Sequence, residues 1–230
     1  MEEKLSFKYS EARVLPVILM LDTSGSMYSD GKISALNEAV TEMLQSFAEN
    51  SDNNIAINVA VVKFGSSAEI VYPLQPAAEL VEKYVSLNAE GSTPLGAALT
   101  KTKEEIIERK DIITSRTYRP MVVLVSDGMP NDEWMQPLEK FVNEGRSAKC
   151  SRIAMGIGAP KGSPAYDVLC KFTGDSEAVI TAGEANQIKG FFRFVTFSTI
   201  ARTKSSNPNS VDLSAIYGAN LDDSDDDDLF

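Results

Sequence analysis

A short polar stretch carries the side chains of this sequence that are best suited to holding a metal ion. Asp22, Ser24 and Ser26 alternate along it and place one carboxylate and two hydroxyls within five residues. Hard divalent cations such as Mg²⁺ prefer oxygen ligands in nearly octahedral geometry, so these side chains could occupy one side of such an ion. Asp and Ser are also common in turns, where they bond to nearby backbone groups. The stretch alone therefore leaves a metal site and a structural turn both open.

Two later loops carry oxygen ligands of the same kind. Thr93 lies directly before Pro94, which suits the first turn of a helix, and Asp127 directly follows an apolar run. In a doubly wound parallel sheet, the loops at the carboxyl ends of neighbouring strands meet at one edge. We therefore expect two carboxylates and three hydroxyls around one cation. They belong to Asp22, Ser24, Ser26, Thr93 and Asp127.

Apolar runs alternate with helical patterns along the chain and predict the elements that hold these loops. Residues 15–22 are apolar almost throughout, as in a strand buried on both faces. Residues 33–49 have apolar side chains at spacings of three and four, which indicates one buried face of a helix. Further strands are predicted at 55–64, 68–72, 121–126, 152–157 and 177–180, and further helices at 77–84, 94–109, 137–148, 164–172 and 185–202.

This order predicts an α/β fold with a doubly wound, mainly parallel sheet and helices on both faces, as in Rossmann-like proteins. The close spacing of runs 55–64 and 68–72 predicts a β-hairpin, and hence one antiparallel edge strand. We expect Pro73 and Pro76 to end that strand, because proline cannot donate a ladder hydrogen bond.

The chain is predicted to have three parts. Residues 1–13 are a polar lead-in with a short edge strand at 5–9, residues 14–202 form one domain, and residues 203–230 are a linker and an acidic tail. Charge runs such as 222–228 are typical of disorder. This run precedes Leu229 and Phe230, in the style of the acidic tips of bacterial single-stranded-DNA-binding proteins. The tail could recruit a partner, offer an aspartate to the metal, or only aid solubility.

Composition excludes several classes of function. The net charge of −11 argues against a nucleic-acid or anionic-membrane binder, since such proteins carry a basic patch. The absence of histidine removes His-dependent triads, His proton shuttles and His-containing zinc sites. Cys150 and Cys170 show no metal-ligand spacing, and we interpret them as buried reduced thiols, with a disulfide left open.

The sequence also bears on location. The first residues lack the basic and apolar regions of a signal peptide, and no run is long and apolar enough for a transmembrane helix. Together with the two cysteines, this predicts a cytoplasmic protein.

Three motifs together resemble the von Willebrand factor A domain, also called the integrin I domain. They are DTSGS at 22–26, GSTPLG at 91–96 and SDGMPND at 126–132, and their order and spacing are similar to the metal-ion-dependent adhesion site of that family. The resemblance spans roughly residues 14–202. It implies that Mg²⁺ or Mn²⁺ is bound directly by the serines and the threonine, and often through water by the aspartates. The implied ligands are Asp22, Ser24, Ser26, Thr93 and Asp127.

Within that family, four phrases resemble small cytoplasmic bacterial members found in tellurium-resistance (TerY-like) and stress-response operons. They are LPV at 15–17, LDTSGSM at 21–27, TPLGAAL at 93–99 and DGMPNDEW at 127–134. Those proteins are associated with kinase and phosphatase partners. The resemblance implies a non-enzymatic adaptor in stress response or phospho-signalling.

Three neutral hydroxyls leave Mg²⁺ less neutralised than a cage of carboxylates would, so its remaining position favours an anionic oxygen, such as a partner's Asp or Glu. The alternative is a Mg²⁺-dependent phosphoryl-transfer or hydrolytic enzyme. Against it, the sequence has no Walker-type loop, and the three motifs contain no Lys or Arg to hold a phosphate. Nearby, Asp132 could cap a helix or support the metal, and Trp134 could contact a partner or pack the loop.

Overall fold

The computed structural model describes residues 12–51, 55–183 and 186–209. The described residues contain six strands: β1 (Arg13–Asp22), β2 (Ile55–Phe64), β3 (Ala68–Pro76), β4 (Met121–Ser126), β5 (Ser151–Ile157) and β6 (Val179–Ala182). The α-helices are α1 (Lys32–Asn50), α2 (Ala77–Lys83), α3 (Leu95–Thr102), α4 (Met135–Asn143), α5 (Pro164–Thr173) and α6 (Asn186–Lys204). The strand predicted at 5–9 and the acidic tail lie outside the described residues.

The six strands form one sheet in the order β3-β2-β1-β4-β5-β6. All neighbouring pairs are parallel except β2 and β3, which form the antiparallel edge. The predicted α/β class, the mainly parallel sheet and the antiparallel edge strand are therefore confirmed.

Helices cover both faces of the sheet, and each face has its own core. On one face, Leu19 of β1 belongs to a core that includes residues of α1, α2 and α6. On the other, Met20 belongs to a core that includes residues of α3, α4 and α5. Successive strand residues point to opposite faces. A strand covered on both sides must therefore be apolar at every position, which explains the unbroken apolar run of β1.

Pro73 does not end β3 as the sequence predicted, whereas Pro76 is its last residue. β3 continues through Pro73 to Pro76, and its pairing with β2 shifts register between Val59 and Val62. Proline is tolerated on an edge strand and near bulges, because the side that faces away from the sheet needs no backbone donor. The predicted end at residue 72 is therefore wrong.

Helix α4 is also shorter than predicted. It ends at Asn143 rather than near residue 148, and Gly145 then adopts a left-handed φ of 69°. The Glu108 carboxylate accepts hydrogen bonds from the backbone of Arg146 at 2.7 Å and Ser147 at 3.2 Å. A non-local partner therefore replaces the helical hydrogen bonds that a longer α4 would have made.

Candidate metal centre

The carboxyl ends of β1 and β4 lie side by side beneath the candidate centre. The two strands are parallel neighbours, with Leu21 paired with Val125. The next residues, Asp22 and Ser126, are the last residues of these strands. The register therefore brings the first and third polar loops together at one edge of the sheet.

Asp22 is fully buried, and both of its carboxylate oxygens are engaged. Oδ1 accepts a hydrogen bond from the Ser24 backbone N–H at 2.8 Å, and Oδ2 accepts one from the Ser126 hydroxyl at 2.6 Å. Burial raises the pKa of Asp22 to about 6, although the hydrogen bonds from Ser126 and Ser24 oppose that rise. A divalent cation beside this carboxyl would favour its charged form.

The hydroxyls of the first loop lead from Asp22 towards Asp127. Ser24 Oγ and Ser26 Oγ are 3.0 Å apart, and Ser26 Oγ donates to Asp127 Oδ1 at 2.7 Å. The Asp127 side chain is buried. Four of the five sequence-predicted ligands are thus joined by a continuous series of short polar contacts.

The first and second loops are tied together through their backbones. Glu90 N–H donates to Thr23 C=O at 2.7 Å, and Gly25 N–H donates to Gly91 C=O at 3.1 Å. Met27 closes the first loop through a backbone bond to Ser24, and its fully buried side chain packs in the core beside α1. These contacts hold the loops without using the hydroxyls.

Thr93 reaches the centre by backbone contacts with the third loop. Its N–H donates to Asn131 Oδ1 at 3.2 Å, and Asn131 N–H donates to Thr93 C=O at 3.1 Å. Thr93 itself is buried. Within the described residues, no hydrogen bond joins its hydroxyl to the other four predicted ligands, so its connection to the centre is less direct than theirs.

Lys32 is a residue of the centre that the sequence motifs did not include. It is the first residue of α1, and its Nζ lies 2.9 Å from Asp127 Oδ2. A cation at a helix N-terminus is disfavoured by the helix dipole, and this was the sequence signal that could have drawn attention to it. Ser126, which holds Asp22, was part of the third motif but was not assigned a role.

The two open questions about the third loop have structural answers. The Asp132 carboxylate accepts hydrogen bonds from the N–H groups of Gly96 at 3.0 Å and Ala97 at 2.9 Å. It therefore caps α3, not the helix that follows it in sequence. Trp134 is half-buried against the core beneath α3, α4 and α5, with Lys171 Nζ 5.7 Å from its ring centroid. It packs the loop.

The two cysteines are not among the residues of the candidate centre. Both are free, Cys150 buried and Cys170 half-buried, and burial raises the pKa of the Cys150 thiol to about 12. Across the described ranges, no three His, Cys, Asp or Glu side chains lie together in a group that could hold a metal ion. Any metal centre here is therefore rich in hydroxyls rather than carboxylates or thiolates.

The donor set fits a hard divalent cation. Octahedral Mg²⁺ has bonds of about 2.0–2.1 Å, so neighbouring ligand oxygens lie about 3 Å apart. The Ser24 and Ser26 hydroxyl oxygens are 3.0 Å apart. Oxygen-only donors at this spacing match Mg²⁺ or Mn²⁺ better than softer metals, which prefer nitrogen or sulfur ligands.

Comparison with known families is consistent with this architecture. Residues 17–129 match the model of the von Willebrand factor type A domain. An uncharacterized protein, YfbK of Escherichia coli K12, is 26% identical over 156 residues, which cover 66% of this chain and 25% of YfbK. The uncharacterized Rv2850c of Mycobacterium tuberculosis is 28% identical over 114 residues, covering 49% of this chain and 17% of that protein. This chain thus matches a quarter or less of either curated relative.

Solved structures share the fold at low identity. The pilus adhesin SpaC from Lactobacillus rhamnosus GG aligns with a TM-score of 0.66 and 16% identity, over 84% of this chain and 31% of SpaC. Proximal thread matrix protein 1 from the mussel byssus, described with a zinc-occupied MIDAS motif, aligns with a TM-score of 0.61 and 20% identity, over 83% of this chain and 49% of that chain. A von Willebrand factor type A domain from Catenulispora acidiphila aligns with a TM-score of 0.61 and 21% identity, over 83% and 43% of the two chains.

The helices were compared with the dimensions of a bilayer only over the part of the chain that the structure describes. None of its helices combines the length and the apolar character needed to cross a bilayer.

Proposed function

We propose that this chain, whose residues 17–129 match the model of the von Willebrand factor type A domain, is a metal-dependent protein interaction module. Domains of this type are commonly non-enzymatic and bind protein partners. The proposed cation is Mg²⁺ or Mn²⁺. Its proposed ligands are Asp22, Ser24, Ser26, Thr93 and Asp127.

The observation that carries this proposal is the series of contacts from Asp22 through Ser24 and Ser26 to Asp127. Ser126 and the Ser24 backbone hold the Asp22 carboxylate in one orientation. The two serine hydroxyls and Thr93 would then bind the ion directly, and the aspartates would act through water. The bound ion would supply an open position for an anionic oxygen, which a partner's Asp or Glu provides.

The surface around the centre suits a protein partner. Tyr28, two residues after Ser26, is 80% exposed, and Met129, two residues after Asp127, is 45% exposed. Aromatic residues and methionine are enriched at protein interfaces. A partner that places a carboxylate at the metal could therefore also contact exposed apolar side chains that are close in sequence to two of the ligands.

The biological setting is a proposal that rests on the sequence resemblance. We place the protein in the bacterial cytoplasm, in a stress-response or tellurium-resistance system, with an operon kinase or phosphatase as partner. The division into residues 1–13, 14–202 and 203–230 belongs to the same proposal, as does the acidic tail as a second docking element.

One observation favours the enzyme alternative. Lys32 brings a cation to Asp127, although the three motifs themselves contain none. A lysine beside a Mg²⁺ site could hold a phosphate during phosphoryl transfer. Incubating the Mg²⁺-loaded protein with p-nitrophenyl phosphate separates the two readings, because only an enzyme would turn the phosphoester over.

Titration calorimetry with Mg²⁺ and Mn²⁺ tests the main proposal. We expect the wild type to bind, Asp22→Ala to lose binding, and Asp111→Ala to behave as wild type. Asp111 is a matched control, since its carboxylate pairs with Arg109 on an exposed surface. A lysate pull-down with and without EDTA should then lose partners with EDTA. A wild type that binds neither cation would refute the proposal.

A further inference from the structure

Lys32 occupies an unusual position for a lysine. Its side chain is only 19% exposed, and its ammonium contacts Asp127 Oδ2 at 2.9 Å, while the Ser26 hydroxyl contacts Oδ1 at 2.7 Å. Both oxygens of Asp127 are therefore engaged, one by a neutral donor and the other by a full positive charge.

The start of α1 gives Lys32 no local support. The residue before it, Gly31, makes no side-chain cap, and the first turn contains no acidic residue. The helix dipole places partial positive charge at this end and disfavours a cation there. A lysine that breaks a local rule marks a position where another requirement outweighs helix stability. The contact with Asp127 supplies that requirement.

Charge counting shows what this contact does to the centre. The two candidate carboxylates, Asp22 and Asp127, contribute two negative charges, which would neutralise a divalent cation completely. Lys32 offsets one of them. With the cation bound, these groups carry a net charge of +1 rather than zero. A positive centre of low solvent exposure attracts an anion much more strongly than a neutral one.

We infer that Lys32 is the specificity-determining residue of the metal centre, because its ammonium lowers the affinity for the cation and raises the affinity of the loaded centre for a carboxylate ligand. This inference rests on the proposed function. It explains how a centre whose two carboxylates would otherwise neutralise the cation could select an acidic partner.

The competing explanation is structural. Lys32 could serve only to tie α1 to the loop after β4. The two explanations separate through Lys32→Gln, which retains a hydrogen-bond donor towards Asp127 but removes the charge. Lys32→Arg retains the charge. Lys189→Gln is a matched control, since its ammonium is also ion-paired, at 2.7 Å from Glu38, but on the outer surfaces of α1 and α6.

The experiment uses Mn²⁺ as the metal and acetate as the carboxylate. Calorimetry measures Mn²⁺ affinity, and broadening of the acetate methyl resonance by the Mn²⁺-loaded protein measures acetate affinity. For Lys32→Gln we expect Mn²⁺ to bind about tenfold more tightly and acetate about fivefold to tenfold more weakly. Lys32→Arg and Lys189→Gln should stay close to wild type in both assays.

The possible outcomes test the role of Lys32 separately from the proposed function as a metal-dependent interaction module. If Lys32→Gln binds Mn²⁺ no more tightly than wild type, or binds acetate equally well, Lys32 has only a structural role and the interaction module still stands. If the wild type binds no Mn²⁺, both the inference and the proposed function fail.

Discussion

Two buried charged side chains lie at opposite ends of the strands of the same sheet, and their surroundings differ. Asp22 lies at the carboxyl edge, where a hydroxyl and a backbone N–H contact its oxygens and two serine hydroxyls lie next to it. Arg202 lies at the amino edge, 2% exposed, where its guanidinium donates to the backbone carbonyls of Pro208 at 2.8 Å and Arg119 at 2.7 Å.

Both charges are costly to bury, and the pKa of each shows it. Burial raises the pKa of Asp22 to about 6 and lowers the pKa of Arg202 to about 10. Burial of a charge therefore does not by itself identify a functional site. Asp22 differs because it begins a series of side-chain oxygens that continues through Ser24 and Ser26 to Asp127, whereas the groups around Arg202 are backbone carbonyls of its own chain. The first arrangement can accept a cation, and the second joins α6 to the start of β4.

The largest expected effect comes from Asp22→Asn. The amide keeps the shape of the carboxylate but loses its charge, so we expect Mn²⁺ affinity to fall by about 100-fold to 1000-fold, or roughly 3–4 kcal/mol. The metal-free variant should be more stable than metal-free wild type by about 1–2 kcal/mol, because a buried charge has been removed. Calorimetry and urea unfolding measure the two effects. A variant that binds Mn²⁺ normally would remove Asp22 from the centre.

Arg202→Met should have the opposite profile. Methionine fills similar space, but it leaves the Pro208 and Arg119 carbonyls without their donor. We expect the free energy of unfolding to fall by about 2–4 kcal/mol, while Mn²⁺ affinity stays unchanged. Arg193→Met is the control, since Arg193 is exposed on the same helix. Weakened Mn²⁺ binding in a folded Arg202→Met protein would contradict the separation of the two edges.

Ser126→Ala tests how far the centre depends on groups that do not bind the metal. Its hydroxyl holds Asp22 Oδ2 at 2.6 Å. Supporting partners of this kind typically change metal affinity by about 10-fold to 100-fold, and we expect the lower end because the Ser24 N–H still orients the carboxylate. Calorimetry with Mn²⁺ measures the loss, and Ser34→Ala is the control, because the Ser34 hydroxyl contacts only the exposed Glu38 side chain of the same helix. Unchanged affinity would show that Ser126 is dispensable.

The sequence contained enough information to predict the sheet and the clustering of the polar loops. The interiors of β1 and β4 are apolar, because both faces of the sheet are covered. Asp22 is the last residue of β1, and Asp127 follows the last residue of β4. The position of a ligand at a strand end is a local property, and local properties can be read along the chain.

Contacts that depend on strand order could not be predicted in the same way. The bond between Ser126 and Asp22 requires β4 to lie beside β1, although β2 and β3 intervene in sequence. The contact between Lys32 and Asp127 also requires β4 to lie beside β1, and in addition it depends on the direction in which α1 leaves the first loop. Pro73 was misread because the strand was expected to stop at its first proline, although an edge strand tolerates proline on the side that faces away from the sheet.

Asp132→Ala should have the smallest effect. It tests whether the contacts between the third loop and the start of α3 have only a structural role and no influence on metal binding. Asp132 accepts from the N–H groups of Gly96 and Ala97 at the start of α3, and losing such a cap costs about 1 kcal/mol. We expect that loss in urea unfolding, with a change in Mn²⁺ affinity of less than about threefold, because Thr93 keeps its backbone bonds to Asn131. Asp132→Asn, which keeps an acceptor, should restore most of the stability. If Mn²⁺ binding collapsed instead, the cap of α3 would belong to the metal centre, and the centre would extend further from the two strand ends than its polar contacts indicate.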